Sequence, residues 1–163
     1  MRSHLARTLP RGWHASHDRV SMRLTMTGEY AIRAMIHLAG LSPGSAVQIA
    51  DISDAWEIPE TFLRKIAARL GKAGLLVSQR GLGGGIQLAR PAESLTLLEV
   101  IEAIEGKITL NRCLMAGEFC HRTVWCQVHL TWVEAQEAVK TTLARKSLKQ
   151  LAEESAGRQL AEA

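Results

Sequence analysis

Apolar residues recur along residues 27–39, "TGEYAIRAMIHLA", with Tyr30, Ala34 and Leu38 one helical turn apart and Ala31 and Met35 beside them. That spacing predicts an amphipathic helix. "LSPGSA" at 41–46 is turn chemistry. A short second helix is expected over about Val47–Ala55, with Ile49, Ala50 and Ile52 inward, Asp51 and Asp54 outward, and Trp56 closing it. "EIPE" breaks the chain, and Pro59 sits well at the start of a third helix, "TFLRKIAARLGKAG". Its apolar side is read as Phe62, Ile66 and Leu70 with Leu63 and Ala67 alongside, and its polar side as Thr61, Arg64, Lys65, Ala68 and Lys72.

Two runs of strand character, "LLVSQR" and "GIQLAR", flank "GLGG" and predict a β-hairpin with a glycine turn. Thr96 and Glu99 then form a capping-box signature before the periodic run "LLEVIEAIEG", which Gly106 stops. From about Leu130 to Leu160 the chain has no proline and one glycine, so a single long helix is expected. Leu130, Val133, Val139, Leu143, Leu148 and Leu151 give it an apolar stripe, and a second copy of the chain is the simplest cover. Two helices, a tight break, a third helix and a hairpin describe a winged helix-turn-helix. The fold expected is mainly α, with a small β-hairpin wing and a long C-terminal dimerisation helix. The divisions are a basic extension over 1–21, a DNA-binding domain over 22–92, a helix plus cysteine loop over 93–129, and a dimerisation helix and tail over 130–163.

Charge sharpens this picture. The first 21 residues carry four Arg and one Asp, so they supply +3 of the formal net charge of +4 and leave the remainder near neutral. They lack helical or strand periodicity and the apolar centre of a secretory signal. They read as a disordered tail or a mis-assigned start, with Met22 as the true one. Between Thr61 and Arg90 stand Arg64, Lys65, Arg69, Lys72, Arg80 and Arg90 without one acid. Basic side chains on a recognition helix can meet phosphates and base edges, and an arginine on a hairpin can enter a minor groove. Thr61, Arg64, Lys65 and Ala68 are the expected groove-facing residues, with Arg80 on the wing. "GLGGG" is not a dinucleotide fingerprint, because the third glycine of that motif would fall on Ile86. No nucleophile, base and orienting group can be picked out, so an enzyme is not expected. No apolar run is long enough to span a membrane, and the expected location is the cytoplasm.

All three cysteines, Cys113, Cys120 and Cys126, lie in one stretch, "NRCLMAGEFCHRTVWCQVH". An odd, clustered set argues against a disulfide framework and for metal ligation or redox-active thiols. Soft thiolates suit iron-sulfur clusters and zinc alike. Candidates for a fourth ligand are His129, three residues after Cys126, Glu29 near the start of the first helix, and, more weakly, His121.

Taken together, "MRLTMTGEYAIRAM", "VQIADISDAWEIPETFLRKIAARLGKAGLLVSQRGLGGGIQLARP" and the cysteine loop resemble the IscR, NsrR and RirA family of bacterial winged-helix regulators, the Rrf-two superfamily, from Met22 to about Leu151. The resemblance implies a homodimeric transcription factor whose affinity for a palindromic operator in double-stranded DNA is governed by an iron-sulfur cluster. Members sense iron, redox state or nitric oxide. His129 matches the histidine of IscR-like members that bind a two-iron centre (2Fe-2S), and Glu29 matches the acid that reaches a four-iron centre (4Fe-4S) in NsrR. Six and then five residues separate the cysteines here, against five and five in IscR and NsrR, which leaves the cluster type open. Two other readings stay open at this stage. One is a regulator whose cysteines bind zinc or act as a redox switch, and the other is a partner-binding module of cluster assembly that does not bind DNA.

Overall fold

The computed structural model describes residues 24–81, 83–115, 120 and 122–162. Three helices come first: α1 (Met26–Ala39), α2 (Ile49–Trp56) and α3 (Glu60–Lys72). Strands β1 (Leu76–Gln79) and β2 (Gly85–Leu88) follow, then a 3-10 turn at Ala92–Ser94 and α4 (Leu97–Glu105). A second 3-10 turn, Arg112–Leu114, leads to α5 (Gln127–Ala144) and α6 (Leu148–Glu162). The basic extension and Met22 lie outside the described residues, and none of the described helices is long and apolar enough to cross a membrane.

Helix α1 is the centre of the core. Ala31, Ala34, Met35 and Leu38 are buried on one stripe, where small alanines let the neighbouring helices approach. Thr25 caps its start by accepting the Gly28 N–H, and its hydroxyl donates to Glu105 at 2.6 Å, tying α1 to the end of α4. The break between α2 and α3 is made by Glu57 in the left-handed region (φ 51°) and by the Ser53 hydroxyl, which donates to the Ile58 carbonyl. Pro59 then sets the entry to α3 without needing its own N–H.

Two inward assignments shift. Leu63, Ile66 and Leu70 form the buried stripe of α3, whereas Phe62 is 49% exposed. Leucine 63 completes an i, i+3, i+7 stripe that is narrower than one including Phe62, so the phenylalanine stays at its edge and meets Tyr30 edge-on at 6.5 Å. In α2, Ile52 is buried and Ala50 is exposed.

The wing is an antiparallel pair in the register Leu76↔Leu88 to Gln79↔Gly85. Val47, just before α2, adds a third rung: its N–H donates to the Ile86 carbonyl at 3.0 Å, and the Ile86 N–H donates back at 2.8 Å. Gly85 permits this approach, for at φ 157° any Cβ would stand 2.2 Å from the Val47 carbonyl oxygen. The Gln48 side-chain amide donates to the Gly84 carbonyl and holds the wing to the start of α2 from the other side.

In the C-terminal part, the expected capping box is present at Thr96 and Glu99. The expected single long helix is instead two. Ser147 and Gln150 form a reciprocal cap that starts α6, while the Leu148 N–H donates to the Leu95 carbonyl at 2.8 Å. Leu148 and Ala152 are buried in the core against α1. The apolar stripe therefore divides: Leu148 and Leu151 are covered by the chain itself, and Leu130 and Val133 on α5 remain exposed.

Candidate DNA-reading face and cysteine loop

Thr61, Lys65, Ala68 and Lys72 recur at helical spacing on the exposed side of α3. Arg64 stands beside them, exposed, with its guanidinium donating to Glu60 at 2.5 Å. A shallow groove separates α3 from the wing, lined by Gln48, Arg64, Ser78, Gln79 and Gly84. Arg80 is exposed where β1 runs into the turn. Of the expected DNA-facing residues, Arg64 lines the groove that α3 shares with the wing, while Thr61, Lys65 and Ala68 lie on the exposed side of the same helix.

The run of six cations is not all free. Arg69, though exposed, is engaged by donating to the carbonyl of Ile104 at the end of α4. Arg90 donates to Glu99 at 2.7 Å. Partial burial works to raise the Glu99 pKa, but hydrogen bonds from Arg90 and from the Thr96 amide and hydroxyl outweigh it and hold the carboxyl below its ordinary value. Of these six, Lys65, Lys72 and Arg80 are left exposed with neither an ion pair nor a side-chain hydrogen bond among the described residues.

The three thiols are free and half-buried. Cys113 sits on the 3-10 turn Arg112–Leu114, and Cys126 is the N-cap residue of α5. The Thr123 N–H donates to the Cys120 carbonyl at 3.3 Å, and the Cys126 N–H to the Arg122 carbonyl at 2.9 Å. His129 lies on the first turn of α5, its amide donating to the Cys126 carbonyl at 3.0 Å. Its ring Nδ1 is buried and has no hydrogen-bond partner among the described residues. The segment entering the Cys113 turn is fixed to the middle of α5 by the Leu110 amide, which donates to Gln136 at 3.2 Å. Glu29 projects from α1 toward Arg33, 3.7 Å away. Among the described residues no three His, Cys, Asp or Glu side chains converge on a metal-sized site; His121 lies outside those residues.

A helix-turn-helix carrying a wing and a basic, exposed recognition helix is the architecture of a DNA-binding transcriptional regulator. The Rrf2 family model, described as an iron-dependent transcriptional regulator, matches residues 24–154, and the chain belongs to that family. It is 37% identical over 130 residues to the HTH-type transcriptional regulator IscR of Xenorhabdus nematophila, covering 80% of this chain and 79% of that one. The fold is similar to that of CymR, the global cysteine regulator of B. subtilis, with a TM-score of 0.66, 26% identity, and coverage of 82% and 98% of the two chains. It is also similar to IscR of T. potens, with a TM-score of 0.65, 22% identity, and coverage of 83% and 89%. These relatives are regulators, not enzymes, and family membership favours DNA binding over a module that serves cluster assembly alone.

Proposed function

We propose that the protein is a cytoplasmic, homodimeric transcription factor whose affinity for a palindromic operator is set by an iron-sulfur cluster held in the cysteine loop. The donor set fits such a group. Three free thiols accompany a histidine whose buried Nδ1 lacks a partner among the described residues, and that orphaned nitrogen, one turn from Cys126, is the observation that carries the reading. A buried polar atom without a hydrogen bond is costly, and ligation would satisfy it. Cys113, Cys120 and Cys126 would hold the cluster with His129, or with Glu29 once released from Arg33. Bound there, the cluster would supply iron- and redox-sensitive chemistry beside the Cys113 turn and the start of α5.

The chain's own residues suit the transmission of a change there. Cys126 occupies the N-cap position of α5, so a displacement of its sulfur would act on the first turn of that helix. The Leu110 contact with Gln136 ties α5 to the segment leaving α4, and Arg69 ties the end of α4 to α3. Val124, Trp125, Val128, Leu130 and Val133 leave an apolar surface around the loop and the first half of α5, which suits an isologous contact with a second copy. Thr61, Arg64, Lys65, Ala68 and Arg80 are the proposed DNA contacts, and residues 22–92, 93–129 and 130–163 the corresponding reading, sensing and pairing regions.

Anaerobic purification, followed by the visible spectrum and the iron, sulfide and zinc content, tests this. Brown protein with matched iron and sulfide is expected, with the colour lost in Cys113→Ser; two irons per subunit would favour His129 and four would favour Glu29. Colourless protein carrying zinc or no metal refutes the cluster. Likeness to the fold of CymR supports the second reading in that event, a regulator whose thiols themselves respond to oxidation.

A further inference from the structure

Glu60 is the sole acidic residue of α3, and it stands on the face of Arg64, one turn before it. An acid there repels phosphates, so its position calls for a use. It lies one turn ahead of Arg64 in the favourable i, i+4 order, 2.5 Å from the guanidinium, with 41% of its own side chain and 65% of that of Arg64 exposed. Arg64 at the same time lines the groove between α3 and the wing, beside Ser78 and Gln79.

We propose that Glu60 is a specificity-determining residue that aims Arg64 at base edges; the inference rests on α3 being the element that enters the major groove. A guanidinium carries its donors in one rigid plane. Held by a carboxylate on one side, it keeps a fixed fork on the other, the geometry that reads the O6 and N7 of a guanine. Without the carboxylate a long, exposed arginine turns to the nearest phosphate, a contact that carries charge but no sequence information. The pair is also neutral as a unit, so Arg64 adds little to counterion release while Glu60 is in place.

The operator is first recovered by selection from a randomised duplex pool with the wild-type protein. Affinities of wild type, Glu60→Gln and Arg64→Ala are then measured for that operator, its single-base-pair variants and an unrelated duplex, at several salt concentrations. Glu60→Gln is expected to lower discrimination at one base pair by about fivefold or more. Affinity for the unrelated duplex should rise, and the log-log salt dependence should steepen by about one unit. An equal rise on every duplex with discrimination intact would reduce Glu60 to a repelling charge and overturn the inference, as would no change at all. Failure of the underlying reading is distinct: Arg64→Ala would then leave operator and unrelated duplex equally unaffected. Glu60 is exposed on the first turn, and circular dichroism with a thermal midpoint verifies that the variant is folded.

Discussion

Substituting Gly85 with alanine would place a Cβ 2.2 Å from the Val47 carbonyl oxygen and 2.4 Å from its carbon, both backbone atoms that no side-chain rotation can move aside. The least costly escape is to part the wing from the segment before α2. That sacrifices the two Val47–Ile86 hydrogen bonds and displaces the Gln48 contact to Gly84. At about 1 kcal/mol net for each backbone bond, the third rung contributes about 2 kcal/mol, or about thirtyfold in the equilibrium between docked and undocked wing. The unfavourable φ adds about 1 kcal/mol for any residue with a side chain. Amide exchange at Val47 and Ile86 is therefore expected to accelerate about thirtyfold in Gly85→Ala. Urea denaturation should show a loss of about 2–3 kcal/mol, and operator affinity should fall because the wing no longer holds Arg80 in register with α3. Wild-type protection of both amides in the folded variant would refute the view that this glycine exists to admit the third rung.

Leu148→Ala should destabilise the protein by about 2–5 kcal/mol in chemical denaturation, since the side chain is fully buried; a loss below 1 kcal/mol would mean that α6 is not part of the core. Glu99→Gln should lower stability by up to about 1 kcal/mol at pH 7. Because the Glu99 pKa is depressed in the fold, its contribution is complete above the ordinary carboxylate range and is lost as pH falls through the folded value, so the deficit should shrink as pH falls below that range. A deficit independent of pH would show that the charge is not what matters there. Arg80→Ala should weaken operator binding, and unchanged affinity across several salt concentrations would count against the wing contact.

Local rules carried much of the fold. The Thr96–Glu99 capping box, the proline break before α3 and the glycine turn of the hairpin are written in neighbouring residues, so they were legible before any tertiary contact was known. The start of α6 was equally local: "SLKQ" at 147–150 is a capping box of the same kind, hidden by reading the apolar stripe as one continuous run. The phase of α3 was harder, because Phe62 and Leu63 both fit an apolar side and only packing against α1 decides between them. The uses of Arg69 and Arg90 were out of reach, since their partners lie 35 and 9 residues away and a count of charge cannot tell a structural cation from a free one. Glu60 stood one residue before the basic run and so escaped the count. For the cysteines the sequence supplies the donor chemistry, while the position of each sulfur depends on how the turns around Cys120 and the first turn of α5 settle.

The return of α6 to α1 bears on the order in which the molecule is made. Leu148 and Ala152 close a core whose other members, Met35 and Leu38, leave the ribosome more than a hundred residues earlier. The helix-turn-helix cannot complete its own interior when it emerges, and its first helix waits with one flank open until α6 has been synthesised. A nascent or truncated chain ending before Leu148 would thus present α3 on an unfinished platform, so that the winged helix-turn-helix is complete only after the cysteine loop has itself been translated.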